Sequence, residues 1–447
     1  MELLDTIVAL GTPRMIGALA VVRLSGPQSL EILSHLIHKD IKKIKPNEAF
    51  LANVYGDKEK EDSLIDQAVI TFFKGPRSYT GEDVLEFSLH GSPAIADEVI
   101  EACIAYGARP ARNGEFTMKA YLNGKMTLLQ AEGVDDFIKA QSKTARDLAL
   151  SSLRGESSSN VDELKNKLLD AISEAEYILE DDLSDHSDYL EEMKGVAENK
   201  AVPVLDYCNK LLLEAHNAQR LYEGVDVAIV GKPNVGKSSL LNALVGEDKA
   251  IVTSIPGTTR DIVEGEKEIA GVQFRFKDTA GIRPTEDVVE RLGVERSIKA
   301  IREADIVLYV SDSSFDDKEA LDLVKGKTVI KVGSKGDVKK VVGAEVMTSA
   351  KEKDLGELEK MMVKKANIAS AKAQASYMSK RDMGYLANLA SDIQEALKAI
   401  RVDGYVDAFS DMLRRGIDVL NDMLGVSSAQ TGEDIYTTIF AHFCLGK

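Results

Sequence analysis

Gly231-Lys232-Pro233-Asn234-Val235-Gly236-Lys237-Ser238 fits the pattern G-x-x-x-x-G-K-[ST]. The apolar run 225–230 before it predicts a buried strand, and 239–245 after it predicts a helix. In that setting glycines let the backbone wrap a polyphosphate, and successive N–H groups at a helix N-terminus supply partial positive charge. Lys237 reaches the terminal phosphates and Ser238 offers a hydroxyl to magnesium. Outward from this cradle, strand signals at 265–270, 273–277, 305–311, 328–332 and 345–347 alternate with helical segments. Such alternation predicts a mainly parallel sheet covered on both faces.

At 447 residues the whole chain is too long for one core and suggests about two to four domains. Residues 1–118 mix β-like runs (6–10, 18–24, 67–73, 83–90) with amphipathic segments near 28–37 and 94–106, which predicts an α+β domain. From 119 to 216 helical periodicity takes over, with Val161, Leu164, Leu168, Ile172, Ala175 and Leu179 on one face; a stripe of this kind is ordinarily core. The acidic stretch Glu180 to Asp188 reads as a loop, and helical pattern returns over 371–447. The fold expected is therefore multidomain α/β plus all-α: a helical domain (119–216 and 371–447) into which the nucleotide-binding domain (217–370) is inserted.

Composition excludes several classes. No apolar run is long enough to span a bilayer, and the start lacks a secretory pattern, so a cytoplasmic protein without a membrane is expected. Cys103, Cys208 and Cys444 are too far apart for a disulfide framework or a C-x-x-C site. With 56 basic against 73 acidic side chains the formal charge is −17, which opposes indiscriminate binding to polyanions. A nucleic-acid partner would need a local basic patch.

Around the cradle (Asn234, Val235, Gly236, Lys237, Ser238 and Ser239) the sequence supplies further nucleotide contacts. Pro256-Gly257-Thr258-Thr259 lies between the first helix and the next strand, and Thr259 is the residue expected to coordinate magnesium. Asp278-Thr279-Ala280-Gly281 ends a strand, where a carboxylate can hold magnesium through water and a glycine N–H can sense the γ-phosphate. Base identity falls to Gly333-Ser334-Lys335-Gly336-Asp337: the Asp337 carboxylate accepts two donors of the guanine edge, with the Lys335 stem on the ring. Ser349-Ala350 completes the pocket from the backbone, so the nucleotide expected is GTP. These segments resemble the translation-factor-like GTPases, whose guanine motif is N-K-x-D; here Ser334 stands for Asn, a hydroxyl can do less of the tying between base loop and cradle, and weaker guanine-nucleotide binding is expected, with discrimination kept by Asp337.

Over essentially the whole chain the motifs resemble the MnmE (TrmE) family of bacterial tRNA-modifying GTPases. They are the cradle, Ile255-Pro256-Gly257-Thr258-Thr259-Arg260-Asp261, the helix 289–296, and Phe443-Cys444-Leu445-Gly446-Lys447. In the N-terminal part they are Val22-Arg23-Leu24-Ser25-Gly26, Ser78-Tyr79-Thr80-Gly81-Glu82-Asp83 and Gly114-Glu115-Phe116. The resemblance implies a potassium-dependent GTPase that acts when two GTPase domains meet, in a homodimer formed through N-terminal domains. Asn234, Thr253, Ile255 and Thr258 fall on the potassium cage, with Ser254 in the same loop. Glu290, by pattern a solvated helix carboxylate, falls on the glutamate that orients attacking water. Arg23, Glu86, Lys125 and Lys447 fall on positions contacting a reduced one-carbon tetrahydrofolate. Cys444, by pattern a small buried hydrophobe, falls on a functional thiol. The sequence departs from the family at Pro13-Arg14-Met15 and at Asn113, where the family has proline.

The implied activity, with a flavoprotein of the MnmG (GidA) family in a heterotetramer or larger complex, installs an aminomethyl-type group on the wobble uridine of tRNA. Two other readings stay open: a GTP-dependent ribosome-assembly or regulatory factor, and a folate-dependent aminomethyltransferase with a regulatory GTPase insert.

Overall fold

The computed structural model describes residues 5–180, 186–246, 265–278, 298–337, 339–349, 355–373, 376–426, 439–444 and 446. The chain forms two compact units, one of Met1–Asp135, Leu153–Val204 and Asn388–Lys447, the other of Asp136–Ser152 and Leu205–Ala387. Among the described residues no helix is long and apolar enough to cross a membrane.

In the first unit β1 (Ile7–Leu10), β2 (Leu19–Ser25), β3 (Ala49–Tyr55), β4 (Leu64–Phe73), β5 (Val84–His90) and β6 (Arg109–Pro110) pair in the order β3-β4-β5-β2-β1-β6. Only β1 and β6 run parallel. Alternation along each strand separates two faces. Leu85, Phe87 and Leu89 of β5 join Val22, Leu24, Ile70 and Phe72 under the helices Ser29–Leu36 and Pro93–Ala105. Glu86 and Ser88 alternate with them, and so does Arg23 on β2. The sequence reading missed β3 and β6. The first is an edge strand whose outward residues, Ala49, Leu51 and Asn53, are exposed, and the second is two residues long.

The helices Glu156–Glu180, His186–Val196 and Val406–Leu424 belong to the same unit. Val161, Leu164, Leu168, Ile172 and Ala175 are buried as the periodicity predicts, whereas Leu179 is 37% exposed. The helix reaches Glu180 and the next begins at His186, so the expected loop is at most the five intervening residues, which lie outside the described ones.

In the second unit β7 (Val225–Val230), β8 (Gly265–Ile269), β9 (Val272–Asp278), β10 (Ile306–Ser311), β11 (Thr328–Gly333) and β12 (Val346–Met347) pair in the order β12-β11-β10-β7-β9-β8. All neighbours are parallel except β8, which returns antiparallel along β9. Val227 and Ile229 of β7 enter one core with Phe274, Phe276 and Leu240, while Ala228 and Val230 enter another with Ile301 and Tyr309. Burial on both faces explains why these strands read as continuous apolar runs.

Candidate guanine-nucleotide site

The central strand β7 ends at Val230, and the helix Lys237–Val245 begins six residues beyond the start of the loop at Gly231. This is the carboxyl edge of a parallel sheet, where ligands of open α/β folds bind. A Cβ at Gly231 would strike the Val310 carbonyl oxygen, so only glycine lets the loop leave the sheet here. Asn234 and Gly236 adopt φ of 63° and 101°. Both are residue types that tolerate the left-handed region, and they turn the loop back onto the helix N-terminus. Lys237 is 7% exposed, and its ammonium donates to the Gly231 and Lys232 carbonyls at 3.0 and 3.1 Å. The charge is thus held across the mouth of the loop, beside exposed Asn234, Ser238 and Ser239, and these residues fit a polyphosphate with its magnesium.

Ser334 follows β11 and is 6% exposed. Its hydroxyl donates to the Val235 carbonyl at 2.6 Å, so serine does make the tie between base loop and cradle that asparagine makes in N-K-x-D proteins. The short side chain suffices because the two loops approach closely: a Cβ at Gly236 would lie 3.8 Å from Ser334 Cβ. Gly336 N–H donates to Thr348 O at 2.9 Å and Thr348 N–H to Gly333 O at 2.8 Å, fixing the loop against the segment that carries Ser349. Asp337 is exposed on this loop. Lys335, at φ 56°, pairs through Nζ with Asp312 Oδ2 at 2.7 Å. The Lys335 ammonium, opposite Asp312, holds that carboxyl below the usual range. Asp312 went unnoticed in the sequence, although an acid directly after β10 at the carboxyl edge of the sheet is a signal.

Removing the hydroxyl should therefore matter. One hydrogen bond of this kind contributes about 1 kcal/mol, so Ser334→Ala is expected to weaken GTP binding about fivefold, with guanine preference kept by Asp337. Ser334→Thr should restore affinity. Titration with a fluorescent GTP analogue reads both, and equal affinities for all three proteins would contradict the tie.

Asp278 ends β9, but Thr279, Ala280, Gly281 and Glu290 lie outside the described residues, as do Thr253, Ser254, Ile255, Pro256, Gly257, Thr258, Thr259 and Ala350. The hairpin β8–β9 meets an element the sequence did not connect with this domain. Thr144 N–H, in the first turn of the helix Lys143–Leu153, donates to Gly271 O at 2.9 Å, and Leu148 packs on the core of the sheet.

A second constellation lies in the first unit. Arg23 and Glu86 face each other across β2 and β5, and Arg23 Nε and Nη2 both donate to Glu86 Oε1 at 2.9 and 2.7 Å. Glu86 Oε2 makes no hydrogen bond among the described residues and can accept from a further donor. The guanidinium sits over the rings of Tyr79 and Phe116, and Nη1 donates to Gly446 O at 3.1 Å, tying down the C-terminal tail. The tail is seated by Phe440 and Phe443 against Met118 and Leu128. Cys444 is exposed rather than buried. Asn113 donates from Nδ2 to Ala441 O at 3.3 Å. Glu115 anchors this corner through Arg109 and the Arg112 N–H. Burial pushes its carboxyl up, but those donors prevail and hold it below the ordinary range. Lys125 is exposed and donates to Pro76 O at 2.8 Å; Lys447 is outside the described residues.

A parallel sheet whose central strand feeds a G-x-x-x-x-G-K-S loop, tied to a base-reading loop carrying Lys335 and Asp337, defines a P-loop GTPase domain. Residues 6–125 match the family described as GTP-binding protein TrmE N-terminus, and residues 226–340 match 50S ribosome-binding GTPase. Over 99% of its length the chain is 38% identical to the tRNA modification GTPase MnmE of Aquifex aeolicus, covering 100% of that protein. It is 35% identical to the protein of the same name from Fervidobacterium nodosum, with 99% and 98% of the two chains covered. The chain belongs to the MnmE family of tRNA modification GTPases. Among solved structures, a variant of Aquifex aeolicus Era bound to GDP and AlF4− is 33% identical, with TM-score 0.24, over 31% of this chain and 55% of that one.

Proposed function

We propose that this GTPase couples hydrolysis of GTP to installation of an aminomethyl or carboxymethylaminomethyl group on carbon five of the wobble uridine of certain tRNAs. It does so in the cytoplasm, as a homodimer joined with an MnmG-family flavoprotein. The domain plan is 1–118 for folate binding and dimerisation, 119–216 and 371–447 for the helical domain, and 217–370 for the GTPase. The observation that carries the reading is the end-to-end similarity to MnmE proteins, supported by the Arg23–Gly446 bond that draws the Cys444 tail to the N-terminal sheet. The match of residues 226–340 to a ribosome-binding GTPase family favours an assembly factor instead, but leaves 6–125 without a task.

Ser238, Thr259 and, through water, Asp278 hold magnesium, while Asn234, Thr253, Ile255 and Thr258 hold potassium. These cations supply positive charge where it is needed as the γ-phosphate departs. Lys237 grips the terminal phosphates and Glu290 orients the attacking water. Glu86 and Arg23 receive a reduced folate, the source of the one-carbon unit, with Lys125 and Lys447 facing its acidic tail. Cys444 acts as the thiol that activates the uracil ring.

Exchanging sodium for potassium chloride should raise GTP hydrolysis about tenfold or more, the scale of one added transition-state contact, and Asn234→Ala should erase the difference. Equal wild-type rates in both salts would refute the cage.

A further inference from the structure

A chain with formal charge −17 that acts on RNA must gather its positive charge locally, and the N-terminal sheet does so at one end. The segment before β3 carries Lys42, Lys43 and Lys45, all exposed, around the short turn Ile41–Lys43. Asn47 N–H donates to Phe72 O at 2.8 Å, which lays this segment against the end of β4. There Lys74 and Arg77, also exposed, open the loop to β5, and Lys125 joins that loop through Pro76 O. The carboxylates nearby are largely occupied. Asp40 accepts from Lys42 N–H at 3.0 Å, Glu48 pairs with Lys45 at 3.5 Å, Asp83 accepts from Gly75 N–H at 2.9 Å, and Glu82 pairs with Lys119 at 2.9 Å. Lys42, Lys43, Lys74 and Arg77 make no ion pair among the described residues.

The arc ends where the tail begins. Ala49, Thr71, Glu86 and Arg23 stand in one cross-strand row, so three strand spacings, about 14 Å, separate the β3 edge from Arg23 and its bond to Gly446. That is the span of a few nucleotides. Tyr79, 37% exposed and carried on the same loop as Arg77, places an aromatic ring at the Arg23 end, in contact with the guanidinium. Lysines beside an edge strand can also deter sheet-to-sheet pairing, but the edge strand Ala49–Tyr55 carries none, and Lys74 and Arg77 lie beyond the end of β4.

We propose that this cationic arc, Lys42, Lys43, Lys45, Lys74 and Arg77, docks the phosphodiester backbone of the tRNA anticodon arm and presents its base to the Arg23 and Cys444 corner. The inference rests on the tRNA reading above. The test is binding of unmodified tRNA to full-length protein over a range of potassium chloride concentrations. Each phosphate contact on a single strand contributes about 0.7 to the slope of log affinity against log salt. Lys42→Ala, Lys43→Ala and Lys74→Ala combined should flatten the slope by about 2 and weaken binding roughly tenfold or more at 0.15 M salt. GTP hydrolysis should stay as in the wild type. Removing three exposed lysines elsewhere, Lys210→Ala, Lys299→Ala and Lys318→Ala, should leave the slope within experimental error. An unchanged slope in the first variant overturns the arc alone, as does weakened binding of polyglutamylated tetrahydrofolate with tRNA binding intact. Wild-type protein that fails to retain tRNA overturns the tRNA reading itself.

Discussion

Lys237→Ala should lower kcat/KM for GTP by about 10²- to 10³-fold, the usual consequence of removing one preorganised charge from a transition state. The side chain is 7% exposed and already oriented by the Gly231 and Lys232 carbonyls, so its ammonium needs little reorganisation to meet the terminal phosphates. Loss of the amine leaves those two carbonyls at the loop mouth, where solvent can satisfy them, so folding should survive. Steady-state phosphate release, with circular dichroism to confirm the fold, reads the effect. Turnover within threefold of wild type would contradict the role given to this lysine.

Gly446→Ala should reduce wobble modification more than tenfold while GTP turnover stays within about twofold, because it acts on the tail and not on the cradle. Gly446 has φ 84°, and a Cβ there would sit 2.5 Å from Leu10 O and 2.9 Å from Gly11 Cα. Alanine would pay both the left-handed penalty and a backbone clash, together of order 1–3 kcal/mol or more, and the tail would have to lift. Lifting breaks the Arg23–Gly446 bond and withdraws Cys444 from the corner. Quantifying the modified nucleoside in tRNA from cells carrying only this variant decides the matter; normal levels would show that the seating of the tail is dispensable.

What the sequence disclosed follows from where each signal is stored. Strands buried on both faces, such as Val225–Val230 and Ile306–Ser311, announce themselves as apolar runs, and the cradle is written in eight contiguous residues. The edge strand Ala49–Tyr55 did not, because its pairing partner, rather than its own pattern, makes it a strand. At Ser334 the residue type suggested a weakened tie. The 2.6 Å bond to Val235 depends on the distance between two loops almost a hundred residues apart, and no local pattern encodes that distance. The same holds for Asp312 beside Lys335 and for the cap that Gly271 gives the helix Lys143–Leu153. In the N-terminal domain the Arg23–Glu86 pair was named residue by residue through family resemblance, but its link to the tail through Gly446 O is a product of tertiary folding.

The central claim is that GTP hydrolysis in one unit serves chemistry on a wobble uridine at another. Its most direct measurement is mass-spectrometric analysis of the wobble nucleoside in tRNA from a strain lacking this chain, complemented in turn by wild type and by Lys237→Ala. The account predicts that the side chain at carbon five is absent in the deletion strain, restored by wild type and not restored by the variant. Full modification in the deletion strain would contradict it, and full restoration by Lys237→Ala would show that hydrolysis and modification are not coupled.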